Sequence, residues 1–350
     1  MSRRALTLIV AATALVILGV VGSVLPVPYV ALQPGPITNT LGNEPGTDQP
    51  LIVVKGHPTY PTEGTLALTT VSVVGDPRHQ PTLFSALADW FDRDTAVVPE
   101  QLIFPPGENV DQVQQENAQE MQQSQENAVT AALTYLHIPV KTVVAVGEIT
   151  KSAPAAEVLK TGDVIESIDG QPITSEKQLR TIITGHQPGD VLKLTIKRDG
   201  KTLQQAVTTT VAGTGAQRRT VVGFAPVVKH DFPFSVDIRL QDVGGPSAGT
   251  MFALGLIDKL TPGSLTGGRF VAGTGTIDTD GTVGPIGGVQ QKVVAAARAG
   301  AKVFLVPAGD CAGARSTAPD GVRLVRITTL AGAVQALEDL GTHPDRVPHC

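Results

Sequence analysis

The chain opens with its longest apolar run, which follows a pair of arginines. Residues 5–25 contain no charged side chain, and roughly 20 apolar residues are enough for a helix to cross the hydrocarbon core of a bilayer. A cleaved signal peptide is the alternative, but it is shorter and ends in a small-residue site, whereas this run passes into Pro-Val-Pro. We therefore expect a retained anchor with its N-terminus in the cytoplasm, the rest of the chain outside the cytoplasm, and Tyr29 at the outer interface.

Strand and helix patterns alternate in the next part of the chain. Residues 51–55 and 64–74 have the character of strands, and residues 84–92 predict a short helix. Residues 109–136 predict a long helix that begins rich in Gln and Glu and ends with an apolar stripe on one face. Residues 29–50 are rich in Gly, Pro, Asn and Asp and predict a linker.

The middle of the chain has the pattern of a small β-rich unit. Residues 142–146 predict a strand and residues 175–183 a helix. Residues 191–198 and 201–210, joined by an Asp-Gly pair, predict a hairpin. We expect a separate domain at residues 140–215.

Candidate chemistry is concentrated in the last third. Residues 235–240 alternate like a strand that a Gly-Gly-Pro sequence ends, and helical spacing follows at residues 248–260. A second helix is predicted at residues 289–299, with Gly300 as its C′ residue, before a strand at residues 302–306.

Ser247 stands at the junction between the Gly-Gly-Pro sequence and the first of these helices. A hydroxyl there lies among free backbone N–H groups, where the helix dipole favours negative charge, as an oxyanion hole requires. An ordinary N-cap serine is the alternative. The sequence also fits the G-x-S-x-G elbow of α/β-hydrolases, but no HGGG-type loop is present and the downstream histidines, His343 and His349, lie in a polar tail. These features exclude that family.

Lys292 lies in the first turns of the second helix, where Val289, Val293 and Ala296 flank it. An amine among apolar groups loses hydration, so its pKa falls from about 10.4 towards neutrality. A neutral lysine can then take the proton of a serine hydroxyl. Considered alone, however, Lys292 also fits a surface lysine.

Four motifs together resemble, in order and spacing, the proteolytic domain of Lon proteases. They are GPSAG at residues 245–249, TGTI at 274–277, PIGGVQQK at 285–292 and A-x-x-x-G-A-K-V-F-L-V-P at 296–307. The resemblance implies that Ser247 is the nucleophile, that Lys292 is the general base and that Thr274 supports the lysine. The expected oxyanion donors are the backbone N–H groups of Gly245, Ser247 and Ala248.

One position departs from the bacterial Lon pattern. The residue three before the serine is often acidic in that family, whereas here it is Gly244. Asp242 lies nearby but in a different register.

Earlier in the chain, the paired strands and a set of residues in the long helix also resemble the beginning of the Lon domain. Those residues are Glu126, Ala128, Ala131, Ala132, Leu133 and Tyr135.

The segment PAAE-x-L-x-x-GDVI-x-x-IDG, at residues 154–170, resembles a PDZ domain of the bacterial protease type. Such a domain captures an extended peptide beside an exposed strand edge. We expect its groove near residues 137–144 and the helix at residues 175–183. The alternative is that this domain is only a spacer. Because it follows the start of the Lon-like domain, it is expected to be an insertion within it.

The composition bears on three further classes of function: nucleic-acid binding, metal binding and ATP use. The chain has 350 residues, enough for more than one core, and its 27 basic against 32 acidic residues leave no basic footprint for nucleic acid. Cys311 and Cys350 have no metal-site spacing, and they either pair outside the cell or stay unpaired. We expect no metal and no cofactor. We also expect no use of ATP, because a P-loop sequence is absent.

The predicted fold is therefore α+β. It is a Lon proteolytic domain (ribosomal protein S5 domain 2-like) with an inserted PDZ domain, after one transmembrane helix. The expected divisions are an anchor (1–28), a linker (29–50), the first part of the proteolytic domain (51–139), the PDZ domain (140–215), the catalytic part (216–340) and a tail (341–350).

The predicted function is that of a membrane-anchored, ATP-independent serine endopeptidase that cleaves exported or membrane-associated polypeptides selected by the PDZ domain. The family resemblance also suggests a ring-like homo-oligomer. The alternative is a non-catalytic PDZ scaffold at the membrane.

Overall fold

A computed structural model describes residues 3–213, 218–240 and 243–350. The helices in this part of the chain are α1 (Arg3–Val24), α2 (Leu83–Phe91), α3 (Val110–Tyr135), α4 (Glu176–Gly185), α5 (Gly249–Leu260), α6 (Val289–Arg298), α7 (Cys311–Thr317) and α8 (Leu330–Thr342).

The strands are numbered in the same way. They are β1 (Tyr29–Asn39), β2 (Ile52–Lys55), β3 (Thr65–Val74), β4 (Ala96–Pro99), β5 (Lys141–Ile149), β6 (Val164–Ile168), β7 (Gln171–Pro172), β8 (Val191–Arg198), β9 (Lys201–Thr208), β10 (Thr210–Ala212), β11 (Arg219–Val221), β12 (Phe224–Asp231), β13 (Ser235–Ile238), β14 (Phe270–Gly273), β15 (Thr276–Ile277), β16 (Val283–Gly284), β17 (Val303–Pro307) and β18 (Arg323–Ile327).

The chain divides into two compact units. Unit 1 combines Met1–Ile138 with Phe234–Cys350, and unit 2 is Pro139–Pro233. Unit 2 begins next to the predicted start of the insertion at residue 140, but it continues well beyond residue 215. The reason is that β12 pairs with β5 and so adds a strand to the sheet of unit 2.

Unit 1 is built on a mixed six-stranded sheet in the order β18-β17-β14-β3-β1-β4. Strands β3, β14, β17 and β18 are parallel neighbours, whereas β1 runs antiparallel to β3 and β4. Parallel strands with both faces covered become continuously apolar, and β17 is buried at every position. The predicted mixture of helices and sheet is confirmed.

Strand β1 occupies residues that the sequence assigns to a linker. It pairs with β3 from Ala31 to Asn39, with an irregularity between Pro34 and Ile37. On its other side, β4 pairs only with residues 29–32, so neither proline of the Pro-Gly-Pro sequence removes a donor from that pairing. The linker prediction is therefore wrong for residues 29–39. The prolines at 34 and 36, which usually end a strand, are tolerated here because β4 pairs only with residues 29–32.

Helix α5 is buried along nearly its whole length, with Lys259 as the partly exposed exception. A helix that is apolar on all sides belongs in an interior, and α3 packs across it. Helix α3 begins with a capping box in which the Asn109 side chain and the Gln112 backbone N–H are paired. Its predicted apolar stripe is confirmed, and it extends back to Ser124 and Met121.

Unit 2 has a sheet in the order β12-β5-β6-β8-β9, with β7 on the end of β6. The predicted hairpin is confirmed as β8 and β9, which pair from Val191 with Thr208 to Arg198 with Lys201. Both turn residues, Asp199 and Gly200, have positive φ, as a tight hairpin turn requires. Helix α4 adds Leu179 and Ile183 to the core of this unit.

Helix α1 has 22 residues, of which Gly22 alone is buried. A helix of that length is about 33 Å long, which matches the hydrocarbon core of a bilayer. It is the one helix in the described residues that is long and apolar enough to cross a membrane. Length and composition fit a membrane span and a signal sequence equally.

The two cysteines form a disulfide bond, so the sequence alternative in which they stay unpaired is excluded. Cys311, at the start of α7, is bonded to Cys350, the last residue, with 5.3 Å between their Cα atoms. The bond fixes the C-terminal tail to unit 1. Closing a loop of this length typically contributes about 2–4 kcal/mol to stability.

Candidate active site

Ser247 lies just before α5, which begins at Gly249. The residue that caps this helix is Ala248, and no side chain caps it. The Ser247 Oγ is instead 2.8 Å from the Lys292 Nζ. This geometry excludes the ordinary N-cap interpretation and brings the two predicted dyad residues into direct contact.

Lys292 reaches Ser247 because of where α6 begins. Gly288 precedes this helix in the left-handed region, with φ 66°, and a Cβ there would lie 2.6 Å from Val71 Cγ2. Only glycine fits such a conformation and such an approach. Lys292 itself is 3% exposed, so the surface-lysine interpretation is wrong.

Burial lowers the pKa of Lys292 to about 8, and the nearby negative charge of Asp310 acts in the opposite direction. The cause is loss of hydration around the ammonium group, which disfavours the charged form. A pKa this close to neutrality gives the amine a substantial neutral fraction at mildly alkaline pH. A general base must be in that form before it can accept a proton.

Thr274, the third residue named by the resemblance, lies in contact with both Lys292 and Ser247. Its Oγ1 lies 3.3 Å from Lys292 Nζ and donates to the Ser247 carbonyl oxygen at 3.0 Å. The backbone N–H of Gly275 donates to the same carbonyl at 2.8 Å. Thr274 is fully buried, so one hydroxyl positions both the lysine amine and the serine backbone.

Helix α3 supplies two further contacts, which the sequence analysis missed. Ser124 Oγ donates to the Pro246 carbonyl at 2.9 Å, and the Asn117 carbonyl accepts from the Gly245 N–H at 2.9 Å. These bonds hold the Gly-Gly-Pro sequence in front of Ser247. A signal existed for Ser124, because it shares the helical spacing of Met121 and Ala128 and is buried with them.

The Asn117 contact changes the expected oxyanion donors. The Gly245 N–H is already used, so it is not free to bind a substrate oxygen in this conformation. Within the described residues, no oxygen accepts a hydrogen bond from the N–H of Ser247 or of Ala248. The candidate donors are therefore those two groups at the start of α5.

Gly244 has a steric reason to lack a side chain. A Cβ at this position would lie 2.7 Å from the Cβ of Asn117, so an acidic residue would displace the chain or α3. The other acidic candidate, Asp242, lies outside the described residues.

A cleft of about 590 Å³ opens onto the dyad. Its lining combines residues 69–73 of β3 with residues of other elements, and it includes both Ser247 and Lys292. The side chains that face it from the other elements are mostly apolar: Leu32, Pro36, Ile103, Met121 and Val243. A cleft of this kind suits an extended peptide with apolar side chains.

Unit 2 contains a second cavity, of about 530 Å³. It lies between α4 and the segment that leads into β12, and Leu179, Arg180 and Ile183 line its helical side. The expected groove included this helix and residues 137–144. The second part is wrong, because the free edge of β5 that it required is paired with β12 over most of its length.

Comparisons with known proteins identify the two parts. Residues 241–325 match the Lon protease (S16) C-terminal proteolytic domain, and residues 114–209 match the PDZ domain. The chain therefore carries a Lon-type proteolytic domain and a PDZ domain, as predicted. The PDZ match begins within α3 and ends before β12, so it is offset from unit 2.

Among curated proteins, the chain is similar to Lon proteases. It is 40% identical over 79 residues to that of Koribacter versatilis (strain Ellin345), covering 23% of this chain and 10% of the relative. It is 29% identical over 161 residues to that of Phenylobacterium zucineum (strain HLK1), covering 45% of this chain and 20% of the relative. The chain thus spans a fifth or less of the length of these relatives.

Two of the solved structures that match are titled as PDZ domains. That of the SdrC-like protein from Listeria monocytogenes is 28% identical, with 24% of this chain and 87% of that chain covered at a TM-score of 0.23. The corresponding domain from Listeria innocua is 25% identical, with 24% and 92% covered at a TM-score of 0.22.

Proposed function

We propose that this chain, which carries a Lon-type proteolytic domain and a PDZ domain, is a membrane-anchored serine endopeptidase that works without ATP. The observation that carries the proposal is the 2.8 Å contact between Ser247 Oγ and Lys292 Nζ. This contact joins a hydroxyl at a helix N-terminus to an amine whose pKa burial lowers to about 8. These are the two properties that an activated nucleophile and its base require.

In the proposed reaction, neutral Lys292 accepts the Ser247 hydroxyl proton while Oγ attacks the scissile carbonyl carbon. The carbonyl oxygen becomes an oxyanion, which the N–H groups of Ser247 and Ala248 stabilise. The Lys292 ammonium then donates its proton to the leaving amine as the C–N bond breaks. Water, deprotonated by the neutral lysine, attacks the resulting ester. As the ester C–O bond breaks, the lysine returns that proton to Ser247 Oγ, which restores the hydroxyl and the neutral amine.

Thr274 has a positioning role in this scheme. Lysine has a long, flexible side chain with three rotatable donors, so its amine needs a second partner to stay directed at Ser247. The Thr274 hydroxyl provides that partner at 3.3 Å. It also holds the carbonyl of the serine itself, so both members of the dyad are oriented by one buried group.

The proposed substrates are unfolded or extended polypeptide segments of exported or membrane-associated proteins. The largely apolar cleft beside Ser247 accommodates a chain in extended form. The cavity between α4 and β12 is the proposed site at which the PDZ domain selects substrates, since PDZ domains bind a peptide beside a strand and a helix. The proposal includes ATP independence because the sequence contains no P-loop.

The proposed anchor is α1, with the N-terminus in the cytoplasm. The first two residues of α1 are Arg3 and Arg4, and positive residues favour the cytoplasmic side. Protease added to the outside of intact cells should degrade a C-terminal epitope tag. Degradation of an N-terminal tag instead would reverse the topology.

The function is tested by incubating the purified full-length chain in detergent with unfolded casein or a quenched fluorescent peptide, without nucleotide. We expect hydrolysis that Ser247→Ala abolishes. A matched control is Ser316→Ala, which changes a hydroxyl on α7 that bonds Gln290 and Gly313. Equal, undetectable cleavage by all three proteins, folded as judged by circular dichroism, would favour the non-catalytic scaffold.

A further inference from the structure

Helix α2 turns an apolar stripe outwards. Phe84 is 47% exposed, Leu87 44% and Phe91 83%, and these residues follow one another at helical spacing on one face. Trp90 flanks the stripe and is 66% exposed. The stripe contains no charged residue. Four large apolar side chains that are exposed together on a short helix require a covering surface.

The start of α2 is fixed to the end of α1. The Leu83 N–H donates to the Leu25 carbonyl at 2.9 Å, and the Val27 N–H donates to the Pro81 carbonyl at 3.0 Å. An isolated bridge between Pro26 and Thr82 lies between these bonds. Backbone pairing of this kind leaves α2 little freedom to move away from the last turn of α1.

The contact of the Phe84 ring with α1 shows how far along that helix the apolar stripe lies. The ring packs directly on α1, because a Cβ at Gly22 would lie 2.5 Å from the ring Cζ. Gly22 lies within the apolar run, two residues before α1 ends at Val24, which is about 3 Å along the helix axis at 1.5 Å per residue. If α1 spans a bilayer, Phe84 therefore lies level with its last turn, inside the apolar boundary.

The connection after α1 is also short. Strand β1 begins at Tyr29, five residues after α1 ends at Val24, so the six-stranded sheet of unit 1 begins close to the C-terminal end of α1. Three charged residues, Asp92, Arg93 and Asp94, follow α2 and lie outside the stripe. Asp94 forms an ion pair with Arg298 of α6, which ties the C-terminal side of α2 to the proteolytic unit.

We propose that the exposed face of α2 (Phe84, Leu87, Trp90 and Phe91) inserts into the lipid interface of the leaflet in which α1 ends. The inference rests on the proposed anchoring by α1. An amphipathic helix that lies in the interface buries its apolar face by several ångströms, and aromatic side chains are enriched there. Two attachments, α1 and α2, then orient unit 1 against the bilayer, where a single helix would leave it free to rotate.

The chain provides its own probe, since Trp90 is the only tryptophan. The full chain is reconstituted into phosphatidylcholine vesicles whose acyl chains are brominated near the glycerol end. We expect a blue-shifted emission that loses most of its intensity relative to unbrominated vesicles and that acrylamide quenches weakly. Emission typical of water, with full acrylamide quenching and no loss in brominated lipid, would overturn the proposal.

A matched variant separates docking from anchoring. Leu87→Asp combined with Phe91→Asp breaks the stripe and keeps Trp90. We expect it to lose the bromolipid quenching while it retains peptide hydrolysis and stays in the membrane after carbonate washing. Protection of Trp90 from acrylamide without bromolipid quenching would instead indicate contact with a second copy and would overturn lipid docking.

Carbonate washing also distinguishes failure of the α1 anchor from failure of the α2 docking. Release of the wild-type chain from vesicles would overturn the α1 anchor and the α2 docking together. Retention of the chain with an unquenched Trp90 would overturn the docking alone and leave the anchor in place.

Discussion

The Asp310 carboxylate accepts a hydrogen bond from the Ile286 N–H at 3.0 Å. Ile286 belongs to the loop that leads into α6, and Asp310 follows β17, so the bond fixes the loop that places Lys292. The same carboxylate raises the pKa of Lys292, in opposition to burial. Burial in turn raises the pKa of Asp310 itself. The Asp310 side chain thus fixes the loop that places Lys292, the proposed base, and also raises the pKa of that lysine.

The change Asp310→Asn should move the pH profile of the enzyme. Asparagine keeps an oxygen for the Ile286 N–H but carries no charge, so the pKa of Lys292 should fall further below about 8. In the proposed mechanism the neutral form of Lys292 is the active one, so the acidic limb of kcat/KM should shift to lower pH. The measurement is kcat/KM for a fluorescent peptide between pH 5 and pH 10, a range of about two to three units on either side of that pKa. Asp320→Asn, at an exposed site, is the control and should leave the profile in place.

Loss of the base should abolish turnover. Activity of the wild type should rise with pH through about 8, since burial lowers the pKa of Lys292. Lys292→Arg keeps a positive charge at every usable pH, so it should fold but lose at least about 100-fold in kcat. Lys302→Arg, at an exposed position, is the matched control. Near-normal rates for folded Lys292→Arg would show that another residue is the base.

Thr274→Val should separate positioning from binding. Valine has nearly the shape of threonine but lacks the hydroxyl that contacts Lys292 and the Ser247 carbonyl. That carbonyl keeps its bond from Gly275, so the fold should persist. We expect kcat to fall about tenfold, the equivalent of one hydrogen bond of about 1.4 kcal/mol, with little change in KM. Thr274→Ser should restore much of the rate, and failure of both variants alike would point to packing alone.

Removal of the PDZ part should follow the boundaries of unit 2. Replacing residues 139–233 with a flexible linker should leave hydrolysis of a short unstructured peptide largely intact while reducing cleavage of a long natural substrate. Deletion of residues 140–210 alone should give an aggregating protein, because β12 would lose its partner β5 and expose an unpaired strand. Size-exclusion chromatography and peptide kinetics test both variants. Equal loss of both activities in the 139–233 variant would assign unit 2 a structural role.

The sequence alone determined the elements that depend on local patterns. The β8–β9 hairpin follows from alternation and an Asp-Gly turn, and α6 ends where Gly300 adopts the left-handed conformation with φ 97°. The resemblance to the Lon proteolytic domain also implied the roles of Ser247, Lys292 and Thr274, because the motifs that carry these residues can be read directly from the sequence.

The tertiary structure decided what depends on distant partners. Residues 29–39 form a strand because β3 and β4 pair with them. The local sequence pattern does not indicate which strands will lie beside these residues. The Gly245 N–H is unavailable as an oxyanion donor because it donates its hydrogen bond to the carbonyl oxygen of Asn117, which is far away in the sequence. The base strength of Lys292 likewise depends on packing, since only the folded chain removes water from an amine 45 residues beyond Ser247 and places it 2.8 Å from the hydroxyl.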